Sequence, residues 1–319
     1  MALTAPLRGV VPPVCTPLTP AGEVDTASLT ALVRHLLDGG VHGLFALGSS
    51  SEVVYLTDEQ RATALEVVVN AADGRVPVLA GVIDTTTPRV LEHTRTARSI
   101  GADAVVATAP FYTRTHEKEI ARHFRTVRAE GGLPLFAYDL PVSVHSKLSG
   151  ALVRELAVDG TLAGLKDSSG DEGGLRRLIV ALGGAAGRAS GPAPGFSVLT
   201  GSELTVDAAL LAGADGVVPG LGNVDPAGYV RLYDAAVAGD WKAATAEQER
   251  LVELFGLVDA GPADEMSRNA SAIGAFKHAL RLLGVVEHGT TGMPQIQLGA
   301  EAIAVVSQRL RAAGLTPVR

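Results

Sequence analysis

The sequence predicts an α/β protein: a (β/α)8 barrel of the TIM-barrel kind over residues 1–239, with a C-terminal helical appendage over residues 240–319. Three observations predict it. Short apolar runs alternate eight times with longer helical patterns. The runs are uniformly apolar, as strands covered on both faces are. No G-x-G-x-x-G follows the first run and no Walker-type loop occurs, which weakens the runner-up, a doubly wound open sheet.

The elements follow in order. Val10 to Cys15 reads as the first strand, and Thr26 to Asp38 as a helix with Leu29, Leu32, Val33, Leu36 and Leu37 on one face. Gly43 to Leu47 is the second strand. Asp58 to Ala71 is the second helix, with Thr57 as N-cap and Gln60 in the capping-box position. Val76 to Val82, Asp103 to Ala107 and Pro134 to Tyr138 are strands three to five, and Pro88 to Ile100, Glu117 to Ala129 and Ser149 to Ala157 are the helices that follow them. Ala163 to Lys166, Ser197 to Thr200 and Gly216 to Pro219 complete the strands. Glu172 to Leu182, Glu203 to Leu211 and Pro226 to Ala238 complete the barrel helices. Three helices remain: Trp241 to Leu257, Ala270 to Leu283 and Ala300 to Ala313. Ala185 to Gly195 is a Gly/Pro/Ala loop on the barrel face away from the chemistry.

The chain has 319 residues, 47% of them hydrophobic, enough for a large core. A net charge of -7 argues against a nucleic-acid or acidic-membrane partner, though not against a small anionic substrate. The single cysteine, Cys15, excludes an internal disulfide and fits a reducing compartment. It reads as a buried structural thiol. Met1 to Arg8 lacks a charged start followed by an apolar run, so it does not read as a secretory signal. No window of about 18 uncharged apolar residues occurs, so no membrane span is predicted. The expectation is a soluble, cytoplasmic protein.

A barrel gathers its chemistry at the C-terminal strand ends. Strand six ends in Gly164-Leu165-Lys166-Asp167, and Lys166 is one of only five lysines, with Lys118, Lys147, Lys242 and Lys277. Arginine stays protonated, whereas a desolvated lysine can become a neutral amine for Schiff-base chemistry. By itself Lys166 fits equally well a strand-end lysine with its head in water. Strand two is followed by Gly48-Ser49-Ser50-Ser51-Glu52, whose backbone N–H groups can form an anion nest, or an ordinary Ser-rich turn. It is not a hydrolase elbow, because the second glycine of G-x-S-x-G is missing. Strand four leads to Ala109-Pro110-Phe111-Tyr112. Strand five leads to Tyr138-Asp139-Leu140-Pro141, where Tyr138 is a core tyrosine or an acid–base one. No metal-spaced His/Asp/Glu set is found. His35, His42, His93, His116 and His123 fall on helices or their flanks and are expected to face solvent.

In order and spacing, Gly48-Ser49-Ser50-Ser51-Glu52, Tyr138-Asp139-Leu140-Pro141 and Gly164-Leu165-Lys166-Asp167 resemble the dihydrodipicolinate synthase / N-acetylneuraminate lyase family of pyruvate-dependent class I aldolases. The resemblance runs from about Val10 to the last helices. It implies that Lys166 forms the imine with a 2-oxo acid, with no other cofactor and no metal. It implies that Tyr138 is the acid–base residue. Ser49 and Ser50 would hold the pyruvate carboxylate through backbone N–H groups, and Ser49 would relay protons between Tyr138 and Tyr112. Tyr112 would enter a neighbouring subunit's site, making the protein a homo-oligomer, a dimer or a dimer-of-dimers tetramer. Gly201 and Val218 would line the pyruvate end of the pocket.

Three departures bear on the substrate. Ser51 stands where the family loop has glycine. Ser143 stands where the synthase branch has the arginine that grips its second substrate, which disfavours dihydrodipicolinate synthesis; His145 and Lys147 nearby either bind a substrate tail or sit in a solvated loop. Ser168 and Glu203 match positions where the sialic-acid lyase branch contacts sugar hydroxyls, although Glu203 reads as readily as first-turn charge at a helix N-terminus. The reading is a lyase or aldolase joining or cleaving pyruvate and an aldehyde in a 2-keto-3-deoxy acid type substrate. A dehydratase of a 2-keto-3-deoxy sugar acid, a dihydrodipicolinate synthase and a non-catalytic 2-oxo-acid-binding protein are the alternatives. An NAD-type oxidoreductase would need a dinucleotide fingerprint that is not found.

Overall fold

A computed structural model describes residue 3 and residues 6–318. Eight parallel strands stand in the order β1-β8-β7-β6-β5-β4-β3-β2. They are β1 (Gly9–Val10), β2 (Leu44–Ala46), β3 (Val78–Gly81), β4 (Ala104–Thr108), β5 (Leu135–Asp139), β6 (Gly164–Asp167), β7 (Ser197–Thr200) and β8 (Gly216–Val217). The seam between β1 and β2 is closed by a parallel bridge, Pro13 to Phe45. There Val14 N–H donates to Phe45 O at 2.9 Å, and Phe45 N–H donates to Pro12 O at 3.0 Å. The first apolar run predicts a strand to Cys15, yet the ladder stops at Val10. Pro12 and Pro13 have no N–H to give to a neighbouring strand, so only this bridge survives.

The barrel helices are α1 (Thr26–Asp38), α2 (Asp58–Ala72), α3 (Thr87–Ile100), α4 (Glu117–Gly131), α5 (Pro141–Val144), α6 (Gly150–Val158), α7 (Glu172–Ala181), α8 (Gly184–Gly187), α9 (Val206–Leu211) and α10 (Pro226–Val237). α1 buries Leu29, Leu32, Val33, Leu36 and Leu37, the stripe its 3.6-residue period requires. α2 opens with the capping box of Thr57 and Gln60, each side chain accepting the other's backbone N–H. Two short helices depart from the sequence reading. α5 interrupts the segment after β5, and α8 with a 3-10 turn over Arg188–Ser190 gives helical turns to the Gly/Pro/Ala loop. α9 begins at Val206, not Glu203, so Glu203 lies outside the helix.

The later helices are α11 (Trp241–Phe255), α12 (Arg268–Leu282) and α13 (Ala300–Ala312). α11 meets the barrel through Gln248. Its Oε1 accepts the N–H groups of Val206 and Asp207 at 2.9 and 3.2 Å, and its Nε2 donates to Glu203 O at 2.9 Å. One amide thereby satisfies the N-terminus of α9. Among the described residues, no helix is long and apolar enough to cross a membrane. Residues 1, 2, 4 and 5, on which the signal-peptide reading partly rests, lie outside the described residues. Cys15 is buried, and burial pushes its thiol up to about 12.

His116 is exposed, as expected, whereas His35, His93 and His123 correct the expectation of solvent-facing side chains. His123 is buried on the inner face of α4, with Nδ1 2.9 Å from Thr87 Oγ1. His93 sits between Asp84 and Arg61, at 3.0 Å from each. His35 Nε2 lies 3.1 Å from Asn223 O. Position on a helix did not decide exposure, because in a barrel one face of every outer helix is covered.

Two outcomes follow. Asn223 is fully buried, accepts the Cys15 N–H at 2.9 Å, and donates to Pro13 O and Gly220 O at 2.9 and 2.8 Å. Asn223→Ala strands all three groups and is expected to cost about 3 kcal/mol, read as a fall in the urea midpoint. Burial holds His123 down at about 4, below its ordinary 6.5. Its neutral form therefore adds stability that is present above about pH 6.5 and lost as pH falls through the folded value. His123→Gln should remove on the order of 3 kcal/mol of acid sensitivity across that window. Equal pH slopes of the urea midpoint in both proteins would refute this.

Candidate active site

In a strand, alternate side chains face opposite sides, and residues in register on parallel neighbours share a side. Tyr138 of β5 is in register with Lys166 of β6. Lys166 Nζ stands over the Tyr138 ring, 4.1 Å from its centroid, and 5.0 Å from that of Phe45 on β2. A contact with β2 from across the sheet puts Lys166 and Tyr138 on the inside of the barrel. Both are nearly sealed, at 6% and 3% exposure.

Ser49 Oγ lies 3.3 Å from Tyr138 Oη. Burial by itself would raise the Tyr138 phenol. The Lys166 charge, with hydrogen bonding to Ser49, Lys166 and Ser168, outweighs it and holds the phenol below its ordinary value. The site thus combines an amine, a phenol made more acidic by that amine, and a hydroxyl bonded to the phenol. This set can form an imine and move protons beside it.

Ser49 and Ser50 begin a 3-10 turn, Ser49–Ser51, directly after β2. As the first residues of a turn, neither finds a carbonyl within it for its N–H, which leaves both groups for an anion. Ser51 does not narrow the pocket. It is 1% exposed, and its Oγ accepts the Gly48 N–H at 3.1 Å and donates to Val14 O at 2.5 Å. The left-handed backbone in this loop falls on Glu52 (φ 60°) rather than on Ser51, so no glycine is needed at Ser51.

Gly201 follows β7, and a Cβ placed there would stand 2.0 Å from Ser168 Oγ. A side chain at this position would have to turn the Ser168 hydroxyl away. Val218 is buried directly after β8, with its N–H on Thr200 O at 2.8 Å. Glu203 folds inward. Its Oε1 accepts the Leu221 N–H at 2.6 Å and the Tyr229 hydroxyl at 3.1 Å. Burial raises its carboxyl to about 7, against the lowering effect of those donors and of the Lys166 charge. The first-turn reading of Glu203 is thereby replaced by a half-buried carboxyl bonded to two partners.

Tyr112 is the site residue that its own barrel does not gather in. It lies on the loop after β4, 92% exposed, with a left-handed φ of 77°. Ser143 is exposed, and His145 ends α5 exposed with φ 57°. Lys147 is not turned toward Lys166. It pairs with Asp139, which alternation places on the outer face of β5. Asp139 and Lys147 line a groove of 410 Å³ outside the barrel, with Arg154, Asp167 and Arg177. Burial raises the Asp139 carboxyl despite its bonds to Lys147 and Leu148.

The structure adds Phe45, Asp139, Glu52 and Lys277 to the surroundings of the site, and two of them carry a sequence signal. Asp139 is a charge beside an apolar strand end, and Lys277 interrupts the buried stripe of α12. Among the described residues, no group of three or more His, Cys, Asp and Glu is placed to hold a metal ion.

Residues 6–313 match the model of the Dihydrodipicolinate synthetase family. An uncharacterised DapA-like lyase of Halobacterium salinarum is 35% identical over 256 residues, 80% of this chain and 81% of that protein. A 4-hydroxy-tetrahydrodipicolinate synthase of Phenylobacterium zucineum is 31% identical over 312 residues, 97% of this chain and 98% of that protein. YagE of Escherichia coli K12, provisionally named a 2-dehydro-3-deoxy-D-gluconate aldolase, is 32% identical over 255 residues, 80% of this chain and 82% of that protein. The crystal structure of YagE with pyruvate aligns with a TM-score of 0.87 and 29% identity, covering 98% of this chain and 100% of that one. The chain belongs to the dihydrodipicolinate synthetase family.

Proposed function

We propose that the chain forms or cleaves the carbon–carbon bond between pyruvate and an aldehyde, acting on a 2-keto-3-deoxy acid type substrate through an imine on Lys166. It is a lyase of the aldolase kind by family, and its relatives bear lyase, synthase and aldolase names. The observation that carries the mechanism is the enclosed set of Lys166, Tyr138 and Ser49.

The Lys166 amine attacks the keto carbon. Tyr138 gives a proton to the departing hydroxyl, water leaves, and a protonated imine remains. That cation draws the electron pair of the C3–C4 bond while the Tyr138 phenolate takes the C4 hydroxyl proton, and the aldehyde departs. Protonation of the enamine at C3 and hydrolysis of the imine return pyruvate and the free amine. The lysine is itself the electron sink, so this route uses no further cofactor and no metal. Ser49 and Ser50 N–H groups hold the carboxylate, and Ser49 Oγ passes protons between Tyr138 and Tyr112. Gly201 and Val218 border the pyruvate end, while Ser168 and Glu203 face the hydroxyls of the other half.

The exposed, left-handed Tyr112 suits a ring that enters a neighbouring copy's site. We therefore assign a homo-oligomer, a dimer or a homotetramer of two dimers, located in the cytoplasm. Residues 1–239 serve as the catalytic barrel and 240–319 as a helical domain. One observation favours a second reading, dehydration of a 2-keto-3-deoxy sugar acid. Glu203, held near pH 7 within the electrostatic reach of Lys166, can give a proton to a leaving hydroxyl.

Borohydride trapping with pyruvate, followed by peptide mapping, should place a pyruvyl adduct on Lys166 that is absent from Lys166→Ala. Tyr138→Phe should lower kcat by about 10² to 10⁴. No adduct with any 2-oxo acid would sink the proposal. The raised Glu203 carboxyl adds stability that is present below its ordinary 4.5 and lost as pH rises through about 7. Glu203→Gln should therefore flatten the decline of the urea midpoint between about pH 5 and about pH 8. An unchanged decline would place the titration elsewhere.

A further inference from the structure

The C-terminal helices reach the candidate site at one buried ion pair. Lys277, on the inner face of α12, is 1% exposed, and Glu52, directly after the Ser49–Ser51 turn, is 0% exposed. Lys277 Nζ pairs with Glu52 Oε2 and donates to Thr290 O at 2.8 Å. Glu52 Oε1 accepts the Gly292 N–H at 2.6 Å and Gln295 Nε2 at 2.8 Å. Removing one partner of such a buried pair leaves the other without its counter-charge, which is costly. Glu52 also holds a left-handed φ of 60°, which a residue with a Cβ adopts only when its surroundings impose it.

The turn's own bonds carry this anchoring to its open N–H groups. Glu52 N–H donates to Ser49 O at 3.0 Å. The Ser49 carbonyl and the Ser50 N–H belong to one planar peptide unit, so fixing the first aims the second. Ser51 and Val53 N–H groups donate to Gly48 O at 3.1 and 3.4 Å, which aims the Ser49 N–H in the same way. Displacing Glu52 therefore rotates the two peptide units that present N–H groups to an anion.

We propose that Glu52 and Lys277 are positioning residues through which α12 and the Thr290–Gln297 segment set the aim of the carboxylate-binding N–H groups. This rests on the assignment of Ser49 and Ser50 as the carboxylate site. A pair that merely stapled the core would change stability without changing pyruvate affinity in the folded protein.

The test is the pyruvate dependence of borohydride-trapped adduct in the full-length chain, scored against the folded fraction from circular dichroism. Wild type is the control: no adduct there refutes the underlying function and this proposal with it. With wild type active, Glu52→Gln and Lys277→Met should each raise the half-saturating pyruvate concentration about tenfold or more. A half-saturation like that of wild type in the folded variants overturns the proposal alone. The neutral pair Glu52→Gln with Lys277→Met removes both charges and avoids leaving one buried without a partner. It should fold and still require more pyruvate than wild type; equal affinity would overturn the assignment. Hydrogen exchange on wild type gives a readout that needs no variant. Coupling is reciprocal, so pyruvate should slow exchange at the Gly292 amide, whose partner Glu52 is 240 residues away. No slowing in the Thr290–Gln297 segment, with adduct formed, would also overturn it.

Discussion

Lys166 Nζ lies inside the barrel against the faces of Tyr138 and Phe45, and the surrounding structure answers the needs of an amine held away from water. The aromatic faces offer a partly negative surface. The amine's charge in turn makes the Tyr138 phenol more acidic, and Ser49 bonds that phenol. Close approach of the next strand end is possible because Gly201 leaves room for Ser168. These neighbours come from β2, β5 and β7 and from the end of β6 itself, and a closed parallel barrel concentrates chemistry in this way.

The two faces of a strand divide the charges. Lys166 and Tyr138 point inward, while Asp139, one residue beyond Tyr138, points outward and binds Lys147 behind the sheet. The lysine nearest the motif in sequence is therefore held away from the pocket, and the segment from Leu140 to Leu148 is tied back to β5 by its own ends. With Ser143 and His145 exposed on that segment, it offers the second half of a substrate no buried cation. Glu203, a half-buried carboxyl bonded to Leu221 and Tyr229, is a polar group of a kind suited to hydroxyls.

A turn of three serines is a weak structure alone. Here it is fastened at several points: Ser51 to Val14 after β1, Arg61 to the carbonyls of Val53 and Ile83, and Glu52 to Lys277. The first two fastenings stay within the barrel and the third leaves it. The C-terminal helices also cap α9 through Gln248 and hold Glu203 by its backbone. They meet the barrel at both the serine turn and the Glu203 strand end.

Periodicity and caps in the sequence were enough to determine the eight strand–helix units, because an apolar stripe every 3.6 residues and an N-cap such as Thr57 act locally. The strand-end stretches holding Lys166, Tyr138 and Ser49 were legible for the same reason, since each is contiguous in the chain. Distance in space was not legible. The exposure of His123, the outward pairing of Lys147, the inward turn of Glu203 and the Glu52–Lys277 pair each depend on which strand face or helix face meets another element far away in sequence. Those facts were decided only by closure of the barrel and the docking of α12. Burial and pairing are properties of the assembled chain, and local pattern contains no record of the partner.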